Sequence, residues 1–274
     1  AVPDINTSVM GFSANGNVIN YGLLGIKNIG SEFINDIIKE RKNGKYESLF
    51  DFCSRLQTAH FNRRAAESLI RCGAMDCFEL NRRQMLQALP PLVSNLDEIR
   101  RKTMYGQVGF FELGGKDSFG VDFEMPDVPE FPQAELLKME KEMTGLYLSG
   151  HPLDKYDKII EKLGYVRTSD LLEAESNPLA VYKDGDEVSL CGIITHITVK
   201  QTKAGQNMAF VTAEDMLGSI EIVVFPKVLA ACSSHIVPSG VITVFGTLSI
   251  EEEKDPKILA NVVFGAPDSN SRPA

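Results

Sequence analysis

The sequence YGLLGIKNIGSEFINDIIKER, residues 21–41, contains a short apolar turn, a tight reversal and the start of a helix. Asn28 and Gly30 tolerate positive φ at low cost, so the backbone can reverse within five residues. A helix is predicted from Ser31, with the acidic Glu32 in its first turn, where the helix dipole favours it. One face of this helix is apolar, with residues at helical spacing: Phe33, Ile34, Ile37 and Ile38.

Such a reversal points backbone N–H groups and a helix N-terminus outward, beside Lys27. This arrangement can hold a phosphate oxygen without reading a base. The stretch resembles a helix-hairpin-helix DNA-binding motif, with asparagine at position 28 where that family more often has glycine. An ordinary corner between two helices, in which Gly and Asn only turn the chain, is the alternative. Under the resemblance, the candidate phosphate ligands are Gly25, Lys27, Asn28, Gly30 and Ser31.

The composition bounds the class of protein. The chain has 274 residues, 43% of them hydrophobic, which is enough for two small cores rather than one large core. No apolar run approaches about 18 residues and no basic-then-apolar leader is present, so a cytoplasmic location without membrane insertion is expected. The five cysteines form no CxxC pair, and reduced, buried thiols without a metal site are expected.

Charge is distributed unevenly along the chain, whose formal net charge is -9. Residues 20–102 contain 14 Lys and Arg against 10 Asp and Glu, whereas residues 103–274 contain 14 against 26. A modestly basic front half suggests contact with nucleic acid, although the excess is too small to support tight binding alone.

The pattern from residue 31 to about 101 is helical throughout. Asn62 is predicted to cap a helix that stops at Gly73, and Asn81 to cap a second helix that stops at the Pro90-Pro91 pair. This helix–turn–helix is similar to a degenerate second copy of the first motif. Arginines near these helix ends are candidate phosphate contacts, with a solvated surface as the alternative for each: Arg63, Arg64, Arg71, Arg82 and Arg83.

Residues 103–134 are rich in Gly, Pro and acids and are predicted to form a linker. Within them, Gln107 is followed by the aromatic pair Phe110 and Phe111, and exposed aromatic side chains are costly unless a pocket receives them. The spacing resembles the sliding-clamp-binding peptide of bacterial replication proteins. The alternative is that the two phenylalanines attach the linker to a neighbouring domain.

From residue 187 the hydrophobic period switches to two. Five short strands separated by turn residues, with a helix at 227–231 after the third strand, predict an OB-fold barrel. Gly192 and Gly246 lie mid-strand, where a small barrel bends sharply. Helices are predicted before the barrel, at 135–148 and 155–162.

OB folds bind single strands through aromatic and basic side chains on their second and third strands and in the loop between the first two. The corresponding candidates are Lys200, Lys203, Asn207 and Phe210. Acidic residues lie close by, at Glu214, Asp215 and Glu221, so weak, salt-dependent binding is expected, with protein contact as the competing role.

Several segments, in this order, resemble the C-terminal part of bacterial DNA polymerase III alpha subunits of the DnaE type: GIKNIG, SLFDFCSRL, NRRAAESLIRCGAMD, GQVGFF, TGLYLSGHPLDKY and TKAGQNMAFVTAEDMLGSIEIVVFP. The resemblance implies a multidomain chain, α then β. Its expected parts are a tail of the fingers region at 1–20, tandem helix-hairpin-helix motifs at 21–102, a linker with a clamp-binding motif at 103–134, a helical connector at 135–186, the OB domain at 187–266 and a disordered tail at 267–274.

A polymerase active site needs paired aspartates that hold two Mg²⁺ ions, and no such pair is evident in this sequence. The chain is therefore predicted to be a non-catalytic piece of a longer polymerase, without a cofactor of its own, since Mg²⁺ belongs to the absent palm domain. Its implied partners are duplex DNA, single-stranded template, the sliding clamp and other holoenzyme subunits. Two alternatives remain: an independent DNA-binding module of repair or recombination, and a scaffold that binds only proteins.

Overall fold

The computed structural model describes residues 1–104, 125–177, 179–251 and 254–268. The chain divides into two compact units, a first unit at Ala1–Gly150 and a second unit at His151–Ala274. The predicted helical connector is divided between them, because its first helix belongs to the first unit and the rest to the second.

The first unit is a small β-hairpin followed by helices around one apolar core. The hairpin pairs β1 (Ser13–Asn15) with β2 (Val18–Asn20). The helices are α1 (Ser31–Glu40), α2 (Leu49–Arg55), α3 (Arg63–Arg71), α4 (Arg82–Met104) and α5 (Gln133–Thr144), with 3-10 turns at Leu23–Gly25 and Arg41–Asn43. Phe33, Ile34 and Ile37 of α1 are buried in this core, which confirms the predicted apolar face.

The predicted caps are present. The Asn62 side chain accepts a hydrogen bond from the Ala65 N–H at 2.8 Å and begins α3. Asn81 and Gln84 accept reciprocally from each other's backbone N–H groups, at 2.8 and 3.1 Å, and begin α4. These bonds satisfy donors that the helix itself leaves free, so the helix starts were predictable from the sequence.

Two predicted helix ends are wrong. Helix α4 continues through Pro90 and Pro91 to Met104, although each proline removes one helical hydrogen bond. The helix continues because its buried face, including Leu89, Leu92 and Leu96, remains in the core, while Pro91 lies on the exposed side. Helix α5 ends at Thr144 instead of residue 148, because Gly145 takes the left-handed conformation, with φ of 81°.

The second unit begins with α6 (Asp157–Leu163) and α7 (Thr168–Ser176), and then forms a closed five-stranded barrel. Helix α7 was not predicted from the sequence. The barrel strands are β3 (Glu187–Gln201), β4 (Asn207–Glu214), β5 (Ser219–Val224), β6 (Val241–Ser249) and β7 (Lys257–Phe264), with α8 (Pro226–Cys232) after the third of them.

The order around the barrel is β3-β4-β5-β7-β6, with only the β5–β7 pair parallel. Alternate residues of β4, namely Ala209, Val211 and Ala213, fill the interior. A Cβ at Gly246 would collide with the backbone of Leu259, and the β6–β7 register shifts at this glycine, as predicted for a sharp bend. Strand order and helix position are those of an OB fold, so the predicted fold class is confirmed.

In the part of the chain that the structure describes, no helix is both long enough and apolar enough to cross a membrane.

Candidate nucleic-acid interface

The first hairpin reverses the chain between the 3-10 turn and α1. Asn28 takes a left-handed conformation with φ of 65°, whereas Gly30 has φ of -83° and caps α1 in an extended conformation. Only one of the two predicted positive-φ positions is therefore used. The five candidate phosphate ligands of this hairpin, Gly25, Lys27, Asn28, Gly30 and Ser31, are all exposed.

The backbone donors of this hairpin fall into two groups. The N–H groups of Gly25 and Lys27 donate within the protein, to the carbonyls of Gly22 at 3.1 Å and Met143 at 2.9 Å. Those of residues 28–33 have no acceptor in the described part of the chain, and the first intrahelical bond begins at Ile34. Six consecutive donors at and just before a helix N-terminus, beside the exposed Lys27, suit the binding of an anion.

Contacts from α3 and α5 hold the hairpin in place. The Asn28 amide donates to the Ser68 hydroxyl of α3 at 3.1 Å. The Tyr21 hydroxyl bridges the Gly25 and Thr144 carbonyls at 3.0 and 2.7 Å, and burial raises the pKa of Tyr21, so it remains a neutral donor. Sequence reasoning missed Ser68 and the α5 end, since no local pattern signals a contact 40 or more residues away in the chain.

The two arginines that begin α3 differ in their partners. Arg63 pairs with Glu67 at 3.1 Å and is solvent-exposed. Arg64 is exposed and lies one helical turn before Ser68, on the same face of α3 as the hairpin contact. Arg64 is therefore the arginine that best extends the first hairpin as a cationic surface.

The N-terminus of α4, the corresponding site in the second motif, already holds a carboxylate of this chain. Glu130 accepts from the N–H groups of Arg82 and Arg83 at 2.8 and 3.2 Å. The side chains of Asn81 and Gln84 also donate to carbonyls of this segment, at Val128 and Pro126. The second motif thus lacks the free donors of the first.

Arg82, one of the predicted phosphate contacts, is buried among carboxylates of this chain. Its side chain is only 6% exposed and pairs with Asp76 at 2.7 Å and with the fully buried Glu140 at 3.0 Å. Glu140 also accepts from the N–H groups of Leu148 and Ser149. A guanidinium that binds carboxylates in this way fixes α4 and α5 together and is not presented to a ligand.

Arg83 and Arg71 remain accessible. Arg83 lies over the Phe131 ring at 5.4 Å and is half-buried, so its position is set by a cation–π contact. Arg71 lies 3.8 Å from Glu142 at the surface. The predicted clamp-binding residues Gln107, Phe110 and Phe111 lie outside the described residues.

The four OB candidates are not on one surface. The Lys200 ammonium lies 5.0 Å from the centre of the Phe210 ring, on the outward face of β3 and β4. Asn207 alternates with Phe210 and lies on the opposite face of β4, and Lys203 is exposed in the turn between these strands. The structure therefore brings together Lys200 and Phe210 and separates Asn207 from them, because strand residues of unlike parity point to opposite sides.

Neither unit shows a metal site among its described residues, since no group of three His, Cys, Asp or Glu side chains could hold an ion. All five cysteines are free, and burial raises the pKa of Cys53, Cys72 and Cys191 to about 12. The thiols of Cys53, Cys72 and Cys191 are consequently inert packing groups in the folded chain.

Comparison with known proteins agrees with this geometry. Residues 1–85 match the model of a helix-hairpin-helix motif, and residues 188–264 match an OB-fold nucleic acid binding domain. The DNA polymerase III subunit alpha of Borreliella burgdorferi is 34% identical over 95% of this chain. The Bacillus subtilis and Aquifex aeolicus proteins of the same name are 32% and 34% identical, over 92% and 96% of the chain.

The chain is similar to a part of DNA polymerase III subunit alpha. The resemblance predicted from the sequence is thereby confirmed. The chain spans 20 to 22% of the length of these three polymerase subunits. A solved structure of protein ygiW from E. coli aligns with 37% of the chain at 13% identity and a TM-score of 0.25, which carries no argument here.

Proposed function

We propose that this chain is a non-catalytic, DNA-positioning region of a replicative DNA polymerase III alpha subunit, working in the cytoplasm. The observation that carries this proposal is the row of six N–H donors at residues 28–33 that have no acceptor in the described part of the chain, which is similar to that subunit over 95% of its length. Peptide N–H groups bind phosphate oxygens whatever the base sequence. This property suits a protein that must hold the product duplex while the polymerase moves along it.

Duplex binding involves the first hairpin, Lys27 and Arg64. Glu130 occupies the equivalent helix end in the second motif, so the two motifs contribute unequally. Lys200 and Phe210, with Lys203 nearby, present a cation and an aromatic ring to the single-stranded template. The polymerase reaction and its Mg²⁺ ions belong to the part of the parent enzyme outside this chain, and this region has no cofactor of its own.

A glycine-to-proline change tests the backbone donors. Proline at position 30 removes one free N–H, and its fixed φ is close to the observed -83°. Gly30→Ala is the matched control, because it retains the N–H and its Cβ meets nothing within 4 Å. We expect Gly30→Pro to weaken duplex binding about tenfold in fluorescence anisotropy at low salt, and Gly30→Ala to leave it unchanged.

Lys27→Ala and Arg64→Ala should each lower the salt dependence of binding by about one phosphate contact. Equal affinities of the proline and alanine variants would contradict a role for the backbone donors. Binding without salt dependence, or no binding at low salt, would instead favour a scaffold that binds only proteins.

Clamp docking is the second part of the proposal, carried by Gln107, Phe110 and Phe111. Calorimetric titration of the chain into the cognate sliding clamp should give micromolar or tighter binding. A variant with all three residues changed to Ala should lose this binding. Binding that survives the triple change would place the clamp contact elsewhere, and no binding would remove the clamp from the proposal.

A further inference from the structure

The second unit contains a groove whose lining includes one of the predicted single-strand candidates, Asn207. It lies between the β3–β4 hairpin and α8 and has a volume of about 800 Å³. Its walls are mostly aliphatic and include Ile197, Val199, Leu229 and Ile236. Val199 is 57% exposed although it faces this cavity. We call this cavity the α8 groove.

An unpaired strand edge runs along the groove. Strand β3 pairs with β6 over residues 187–193 and with β4 over residues 193–201. The segment that leads into β6 departs from β3 at Ile194. The Ile194 N–H donates to the Gly240 carbonyl, and the Ile194 carbonyl accepts from the Ser239 N–H. Within the described residues, positions 195–201 therefore have a strand on one side only, and we call them the open edge. Alternate N–H and C=O groups of such an edge point away from the sheet and can pair with another chain.

Among the described residues, no acidic side chain lines the groove. Residues 188–213 and 222–250 contain no Asp or Glu, whereas residues 151–274 as a whole contain 17 acids against 11 Lys and Arg. Among the described residues, Lys227 is the charged residue that lines the groove, and Lys203 is exposed in the turn beside it. A ligand with carboxylates would therefore meet Lys227 and no acidic side chain in the groove lining.

We propose that the open edge and the α8 groove bind an extended, acidic segment of a partner protein, which adds a strand to β3 and places alternate aliphatic side chains in the groove. The strand edge matches a peptide backbone, with alternating donors and acceptors. Nucleic acid fits less well, because no aromatic side chain lines the groove to stack a base, and the Lys200–Phe210 pair faces the other side of the sheet. The residues that line the groove include neither those of the first hairpin nor Gln107, Phe110 and Phe111.

A random twelve-residue phage-display library, selected on the full chain, is the probe. The selected peptides should alternate valine, isoleucine or leucine with other residues and carry Asp or Glu. A fluorescein-labelled synthetic copy of the strongest peptide is then titrated against variants. Val199→Glu and Lys227→Glu should each weaken binding about tenfold or more. Val181→Glu is the matched control, since Val181 is 82% exposed and does not line the groove.

Hydrogen exchange gives the structural readout. The bound peptide should slow amide exchange in residues 195–201, and a peptide with proline at alternate positions should not bind. The proposal is overturned if no peptide is enriched, if the selected peptides are basic, or if Val199→Glu binds as well as Val181→Glu. It is also overturned if a thymidine oligonucleotide displaces the peptide, which would make the groove a nucleic-acid site.

Discussion

Substitution of Glu140 by alanine should destabilise the first unit strongly. The Glu140 carboxylate is fully buried, accepts from Arg82 at 3.0 Å, and accepts from the N–H groups of Leu148 and Ser149 at 3.0 and 2.9 Å. Removing one partner of a buried pair costs about 3–5 kcal/mol, because the remaining charge is left without compensation. Arg82 retains Asp76 at 2.7 Å, so the lower end of that range is expected.

A loss of about 3 kcal/mol corresponds to an opening equilibrium constant raised about a hundredfold. Hydrogen exchange measured by mass spectrometry on fragments from residues 133–150 reports this constant locally, and a urea titration followed by circular dichroism reports global unfolding. Glu142→Ala is the matched control on the same helix, because Glu142 is exposed and 3.8 Å from Arg71, a pair of about 0–1 kcal/mol.

If Glu140→Ala exchanged at the rate of Glu142→Ala, the buried network would contribute nothing and our reasoning would fail. Arg82→Ala provides a second test. A structural role predicts lost stability, together with non-additivity when combined with Glu140→Ala. Unchanged stability with weakened duplex binding would restore Arg82 as a phosphate ligand.

Three further predictions concern the same unit. Asn28→Ala should lower the free energy of unfolding in urea by about 2 kcal/mol, because it adds strain at positive φ and loses the bond to Ser68. Asn28→Gly should lose only the bond, and combining it with Ser68→Ala should cost less than the sum of the two single changes, because both remove the same hydrogen bond. Hydrogen bonds from Thr58 and His60 hold the pKa of Asp36 below its usual 3.8. Asp36→Asn should therefore lower the free energy of unfolding above pH 3.8, and its difference from the unchanged chain should disappear as the pH falls through the lowered pKa that Asp36 has in the folded state. Desolvation raises the pKa of the exposed Cys77 from 9.0 to about 11, so at pH 8 it should react with a thiol reagent at a small fraction of the rate seen after unfolding. Equal cost for both Asn28 variants, a pH-independent Asp36 effect, or equally fast labelling of Cys77 before and after unfolding would contradict these expectations.

Local chemistry made most of the fold predictable. The caps at Asn62 and Asn81, the left-handed Asn28 and the two-residue period of the barrel strands each depend on residues within a few positions of one another. Helix α4 was mispredicted at Pro90 because burial of its apolar face outweighs the local penalty of the prolines. Local signals are reliable only where packing does not oppose them.

The candidate site was less predictable than the fold. The residue types of the first hairpin predict a phosphate site. The N–H groups of residues 28–33 have no acceptor among the described residues, whereas those of Gly25 and Lys27 bond within the protein. Nothing in the sequence near Arg82 indicates that its guanidinium pairs with Glu140, 58 positions away. Nor does the sequence indicate that Glu130 accepts from the N–H groups at the start of α4. Arginines at helix ends look alike in sequence, whether they face a ligand or a carboxylate.

The sequence alone determined the order of the five barrel strands and of most helices, the reversal at Asn28 and the resemblance to polymerase alpha subunits, because these depend on short-range patterns. Only the tertiary structure decided which donors and cations are available to a ligand. Two carboxylates from distant segments, Glu130 and Glu140, bind the N-terminus of α4 and the Arg82 side chain. Among the described residues, no carboxylate accepts from the N–H groups of residues 28–33. Whether an ionic or hydrogen-bonding group is satisfied depends on its neighbours in space, and these neighbours can come from any position in the chain.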